Sequence, residues 1–278
     1  MGDSSRRVPF RVLRGLLLRD FGQGLAVKYA GLVEYDGTAF AGWAAQPGFR
    51  TVEETLAEAL GIVLRQPVKL IVAGRTDAGV HASGQVVSFK AETELSPSSI
   101  SYRATAVLPE DLALRRCVTV RADFDARRDA RSRSYEYRII NDSIRSPLQR
   151  RQTTYAAREL DLDLLRESAD LLKGVHDFRA FTPAKSRHVR FVRDVEESSW
   201  QAYGGLLIYR ISANSFLYGM VRALVGTMLE VAQRKRKLAE FGRLLDGGER
   251  SEAGPSAPAR GLTLVNVGYE DFDFQGER

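Results

Sequence analysis

The feature that most restricts the fold is a two-residue alternation that stops at a turn and then returns. From Leu25 to Tyr35, Val27, Tyr29, Gly31, Val33 and Tyr35 alternate with Lys28 and Glu34, the period of a half-buried strand, and Asp36-Gly37 ends it. Thr51 followed by Glu54 makes a capping box, and Leu56, Leu60, Val63 and Leu64 continue as an apolar stripe to Gln66-Pro67, which predicts a helix. Leu70 to Ala73 and Gln85 to Phe89 read as two further strands. Ser96-Pro97 opens a second helix that reaches to about Leu108, with proline in its first turn.

After a strand near Val118 the pattern begins again. Tyr135, Tyr137 and Ile139 alternate with Glu136 and Arg138, Leu160 to Leu172 is an amphipathic helix, and Trp200 to Ser212 holds a strand or hairpin around Gly204-Gly205. Phe216 to Ala232 is a strongly apolar helix and Leu238 to Leu245 a short one. "GGERSEAGPSAPARG" has the composition of a linker, and Leu262 to Tyr269 closes the chain as a strand. The expected class is α+β, with two sheet-plus-helices halves, 25–124 and 125–278. Residues 1–24 are arginine-rich and loosely amphipathic, compatible with a transit peptide, a basic arm or an overextended start, and are taken as a flexible basic extension.

Cys117 is the only cysteine, so no internal disulfide can form, and with three histidines the usual metal cages cannot be built. No metal site is expected, and the compartment reads as reducing and cytoplasmic. No run reaches the roughly 20 apolar residues of a membrane helix. The net charge of +6 is unevenly spread: Arg121 to Arg151, Arg179 to Arg193 and Arg234 to Arg243 together carry an excess larger than that total. Each run alone reads equally as a solvated face; three together point to a surface that meets phosphates.

The chemistry concentrates in "AGRTDAGVHASGQVVSF", Ala73 to Phe89, where glycines allow a tight loop between anchored strands. By composition alone it is a structural turn, with Asp77 capping backbone amides and Arg75 paired to it locally. Arg222, set in an apolar helix between Gly219 and Gly226, reads from its surroundings as a snorkelling surface arginine. Tyr135 reads as an ordinary strand aromatic, and His81 as a hydrogen-bonding group that shapes the loop.

These stretches, taken in order, resemble the TruA family of tRNA pseudouridine synthases. "AGRTDAGVHASGQVVSF" is similar to that family's signature, "EYDGTAFAGWAAQ" to its first motif, and "FDARRDARSRSYEY", "GVHDFRAF", "FLYGMVRALVG" and "APARGLTLVNVGY" follow in its order and spacing. The likeness is continuous from about residue 25 to 270. Ala44 stands where the family usually has Gln, and Tyr218-Gly219 where basic residues or His are frequent.

The resemblance implies two ferredoxin-like halves joined in an extended, mainly antiparallel sheet with a central RNA-binding cleft. It implies that Asp77 is the catalytic aspartate, that Arg75 belongs to the same motif, that Tyr135 lies against the target base and that Arg222 pairs with the aspartate. Uridine would become pseudouridine at positions 38, 39 and 40 of the tRNA anticodon stem-loop, without cofactor, in a homodimer. Arg127, Arg128, Arg131, Arg133, Lys185, Arg187, Arg190 and Arg193 are the candidates to hold the RNA backbone. The basic surface alone would equally serve a non-catalytic RNA-binding protein or tRNA chaperone, and a carboxylate acting on a sugar would also serve an N-glycosidase.

Overall fold

A computed structural model describes residues 26–185, 189–270 and 272–274. The alternating segments pair into one sheet, and the helices follow the apolar stripes. The strands are β1 (Val27–Tyr35), β2 (Ile71–Val72), β3 (His81–Ala91), β4 (Leu112–Thr119), β5 (Ser132–Asn141), β6 (Thr154–Ala156), β7 (Gly174–Asp177), β8 (Val192–Tyr203), β9 (Leu206–Ala213) and β10 (Leu262–Gly268). The helices are α1 (Val52–Leu64), α2 (Pro97–Val107), α3 (Leu162–Asp170), α4 (Met220–Ala232) and α5 (Leu238–Arg243).

The main path of the sheet runs β4-β1-β3-β10-β5-β9-β8-β7, with β2 on β3 and β6 on β5. Most pairings are antiparallel; β10 meets β3 in a short parallel contact, Thr263 beside His81 and Leu264 beside Ala82. On its other side β10 runs antiparallel to β5, with Leu264 opposite Tyr135. The closing strand therefore sits at the middle of the sheet, between the strand after the Asp77 loop and the strand that carries Tyr135. This α+β arrangement agrees with the fold class expected from the sequence.

Several local expectations change once packing is seen. β1 is buried on both faces over much of its length: Lys28 and Ala30 are buried along with Tyr29 and Val33. The cause is the segment after β4, where Phe124 and Ala126 are buried and the Ala126 N–H donates to Ser88 Oγ at 3.2 Å. α1 begins as expected, but the capping box does not form. Thr51 is fully buried and its hydroxyl has no hydrogen-bond partner among the described residues, while Glu53 accepts the Ala45 N–H at 3.0 Å. At α2 the expected cap is present, Ser96 accepting from the Ser99 N–H at 3.2 Å.

The segment around Gly204-Gly205 is a hairpin, β8 to β9, with Gly204 at φ 61°. α4 starts at Met220 rather than Phe216, leaving residues 215–219 as a connecting turn with Gly219 in the left-handed region at its N-cap. The presumed linker is not one in its second half. Residues 255–261 pack across α4 and end in a 3-10 turn, Ala259–Gly261, that leads directly into β10.

Cys117 lies buried on β4 with its thiol pushed up to about 12 by desolvation. Ellman's reagent at pH 8 is expected to label well under a tenth of the folded protein and one equivalent after guanidinium unfolding. Rapid labelling of the native protein would contradict this packing.

Candidate active site

The loop between β2 and β3 is held from below by the turn that follows β1. Gly37 lies so close to it that a Cβ there would sit 2.0 Å from the Val80 carbonyl, so only glycine permits the approach. The Trp43 N–H donates to the Thr76 carbonyl at 3.0 Å, and the Tyr35 and Thr76 hydroxyls are hydrogen-bonded at 2.8 Å. From β3, the Gln85 side-chain amide donates to the Gly74 carbonyl at 2.7 Å. The first motif and the signature loop are thus one packed unit.

His81 fastens the end of that loop. Its Nδ1 accepts the Gly37 N–H at 3.0 Å and its Nε2 faces the Arg260 carbonyl at 3.2 Å, which assigns the neutral tautomer with the proton on Nε2. Asp36 Oδ1 also lies 3.2 Å from Nδ1, but that nitrogen is occupied in accepting from Gly37 and has no proton to offer. The oxygen is satisfied instead by the Thr38 N–H and hydroxyl. His81 is a structural residue, as its place in the sequence suggests.

Asp77 does not form the local turn that composition favours. Its carboxylate Oδ2 receives Arg222 Nη1 at 3.1 Å, across 145 residues, while Arg75 is exposed and makes no side-chain hydrogen bond or ion pair with any described residue. Arg222 projects from the first turn of α4. It is oriented by a second bond, Nε donating to the Ala257 carbonyl at 2.8 Å, and the Ala257 N–H returns a bond to the Arg222 carbonyl at 2.9 Å. Gly226, one turn on, makes room for this: a Cβ there would stand 1.7 Å from the Pro255 carbonyl. The snorkelling alternative is therefore excluded.

Asp77, Arg222 and Tyr135 open onto one cleft of about 600 Å³. Tyr135 is 8% exposed, with the Phe216 ring edge-on at 5.1 Å between centroids. Burial raises its pKa well above that of a free phenol; the nearby Tyr35 and Asp77 add to the shift and Arg133 opposes it, so the ring stays a neutral phenol. Arg75, Arg127, Arg128, Arg133, Arg193 and Arg222 line the cleft, and Asp77 is the one acidic residue among the lining residues.

The eight arginines and lysines expected to hold RNA fall into different classes. Arg127, Arg128 and Arg193 line the cleft; Arg127 is exposed with its guanidinium unpaired among the described residues, and Arg128 is tied to Asp129 at 3.1 Å. Arg133 departs from the expectation. It is 9% exposed and its guanidinium donates to the carbonyls of Ala130, Asn214, Ala73 and Arg127, so it braces the cleft floor and has little left for a phosphate. Arg131 lies outside the cleft, paired with Glu270 at 2.6 Å. Lys185 and Arg190 are exposed but do not line it, and Arg187, like residues 1–24, lies outside the described residues.

Comparison with known proteins settles the family. A family model described as tRNA pseudouridine synthase matches residues 169–270. The tRNA pseudouridine synthase A of Citrifermentans bemidjiense is 37% identical over 86% of this chain and 96% of its own length. Those of Geobacillus kaustophilus and Xanthomonas oryzae pv. oryzae are 39% and 38% identical, over 86% and 87% of this chain and 93% and 95% of theirs. The chain belongs to the tRNA pseudouridine synthase A family. A chain of a solved Cbf5-Nop10-Gar1 complex aligns at a TM-score of 0.33 and 14% identity, over 86% of this chain and 59% of its own, a likeness too slight to carry weight.

For a tRNA pseudouridine synthase, the sequence reading missed the group that assembles the site. Residues 255–261 supply the Ala257 carbonyl to Arg222, the Pro258 carbonyl to the Tyr137 hydroxyl at 2.8 Å and the Arg260 carbonyl to His81. The available signal was "APARGL" abutting the last strand, masked by the proline and glycine around it. Gly226→Ala is expected to displace 255–257 and lower the melting temperature by roughly 3–10 °C by overpacking. Calorimetry showing no shift would mean that the segment is not seated on α4.

Proposed function

We propose that the Asp77 carboxylate performs the isomerisation of uridine to pseudouridine in this cleft, on the anticodon stem-loop of tRNA at positions 38, 39 and 40. The observation that carries the reading is the Arg222–Asp77 ion pair at 3.1 Å, in a cleft that Tyr135 also lines. In this reading the halves 25–124 and 125–278 furnish the two walls, the first bringing Asp77 and the second Tyr135 and Arg222.

The reaction breaks the bond between C1′ and N1, turns the uracil and forms a bond between C1′ and C5; the proton leaving C5 is balanced by one gained at N1. Atoms and electrons balance without an external reagent, consistent with the cofactor-free chemistry the resemblance implies. A carboxylate serves this either by attack at C1′ or as a base at the sugar, and both need it ionised and aimed. Arg222 aims it through the bond to Oδ2, itself held by the Ala257 carbonyl. Tyr135, kept neutral, offers a flat face to an extruded uracil and recovers part of the few kcal/mol spent on unstacking it.

Arg75, Arg127 and Arg193 are the arginines best placed for phosphates, the first two being exposed with unpaired guanidinium groups among the described residues. Arg193 has its Nε buried with no partner among the described residues, and desolvation lowers its pKa, a cost that an anion beside the guanidinium would offset. The homodimer implied by the resemblance and the cytoplasmic location read from the single cysteine belong to the same reading.

Carbodiimide-adduct sequencing of tRNA transcripts after incubation should show pseudouridine at 38–40. Asp77→Ala should cut the rate about a thousandfold or more while leaving tRNA affinity within a few-fold. Full activity of that variant would sink the assignment. With three or four phosphates neutralised, tRNA affinity should fall roughly 30- to 80-fold between about 50 and 200 mM salt; a flat response would remove the basic cleft from the RNA path.

A further inference from the structure

We infer that Tyr218 is a stacking platform for the nucleotide next to the target uridine, and so helps decide which RNA the cleft accepts. The inference rests on the reading of the cleft as the tRNA site and adds a second aromatic contact to it. Tyr218 lines the cleft and is 61% exposed, in contrast to Tyr135 at 8%. Tyr102 and Tyr203, also highly exposed, lie on α2 and at the end of β8 and do not line it.

The backbone that carries the ring is fixed. The Thr182 hydroxyl donates to the Tyr218 carbonyl at 2.9 Å, and the Met220 N–H donates to the Leu217 carbonyl at 3.2 Å. Leu217, at 3% exposure, anchors the turn in the core between Phe216 and Tyr218, both of which line the cleft. Phe216 packs edge-on against Tyr135 at the floor, leaving Tyr218 as the more solvent-exposed aromatic of the same turn. A large, mostly exposed ring lining a basic cleft, on an anchored backbone, has the arrangement of a base-stacking surface.

The physical need for it follows from the chemistry. Extruding a uridine strips one stacking partner from each of its neighbours, and an aromatic face at the mouth replaces one of them. Because the contact uses the π-face and not charge, it adds affinity without adding to the salt dependence.

The test is steady-state kinetics of the full-length protein on tRNA transcripts, with Tyr218→Ala, Leu, Phe and Trp, and Tyr102→Ala as an exposed control outside the cleft. Tyr218→Ala and Tyr218→Leu should raise KM by about five- to a hundredfold with kcat within about threefold of wild type. Phe and Trp should restore KM to within about threefold, the salt slope should be unchanged, and Tyr102→Ala should have no effect. Replacing one neighbour of the target by an abasic residue should abolish the penalty of Tyr218→Ala, and the effects should be additive at the other neighbour.

An unchanged KM in Tyr218→Ala, failure of Phe to restore it, a reduced salt slope, or additivity at both neighbours would each overturn the inference. Failure of the underlying reading is separate: it would appear as turnover retained by Asp77→Ala. An inactive Asp77→Ala with a flat Tyr218 series would remove the stacking role alone.

Discussion

Three backbone carbonyls within four residues hold the centre of this protein together. Those of Ala257, Pro258 and Arg260 receive bonds from Arg222, Tyr137 and His81, which lie 35, 121 and 179 residues away along the chain. One of these donors sits on α4, one on β5 and one at the start of β3. The segment itself is fixed by Gly226, which lets Pro255 touch the helix, and by β10, which enters the sheet immediately afterwards. A carbonyl has no side chain to vary, so its position depends wholly on the backbone path. Shifting that path would loosen the aspartate's partner, the strand carrying Tyr135 and the histidine of the loop at once.

Around that clamp the arginines differ by what they already hold. Arg133 spends four of its donors on carbonyls and acts as a brace; Arg222 divides its donors between Ala257 and Asp77 and acts as an aiming device. Arg75 and Arg127 reach into the cleft without protein partners among the described residues. Residue type and charge density are the same in all of these cases. What separates structure from ligand contact is whether the local carbonyls and carboxylates have consumed the five N–H donors of the guanidinium. A single carboxylate thus stands among several guanidinium groups, and the unpaired ones give the cleft a positive potential suited to anions.

Much of the scaffold could be read in the residues because periodicity is a local property. The alternation at Val27 to Tyr35, the Ser96 cap and the Gly204-Gly205 turn each predicted an element now seen. Where local signals failed, tertiary burial had overruled them. Thr51 is drawn into the core and leaves its capping role unfilled; Lys28 is covered by a segment nearly a hundred residues later; His81 to Gln85, glycine-bearing and loop-like in composition, is straightened by pairing with β1 and β10. The run from Pro255 to Gly261 has the composition of a linker because proline and glycine mark irregular backbone, and irregular backbone is also what a carbonyl clamp requires.

The sequence by itself determined the α+β class, the strands and helices with strong periods, and, through the order of its motifs, a family likeness that the relatives bear out. It also supplied the chemical inventory, a lone loop aspartate and several candidate arginines. The tertiary structure shows the Asp77–Arg222 bond that the family likeness implied, and it alone decided that Arg75 takes no part in it, that Arg133 is a brace, and that Tyr218 stands exposed at the cleft. The reason is range. A period or a turn is written within a few residues, whereas the bond between Asp77 and Arg222 spans 145 and exists because β10 and the segment before it draw both halves of the chain to one place.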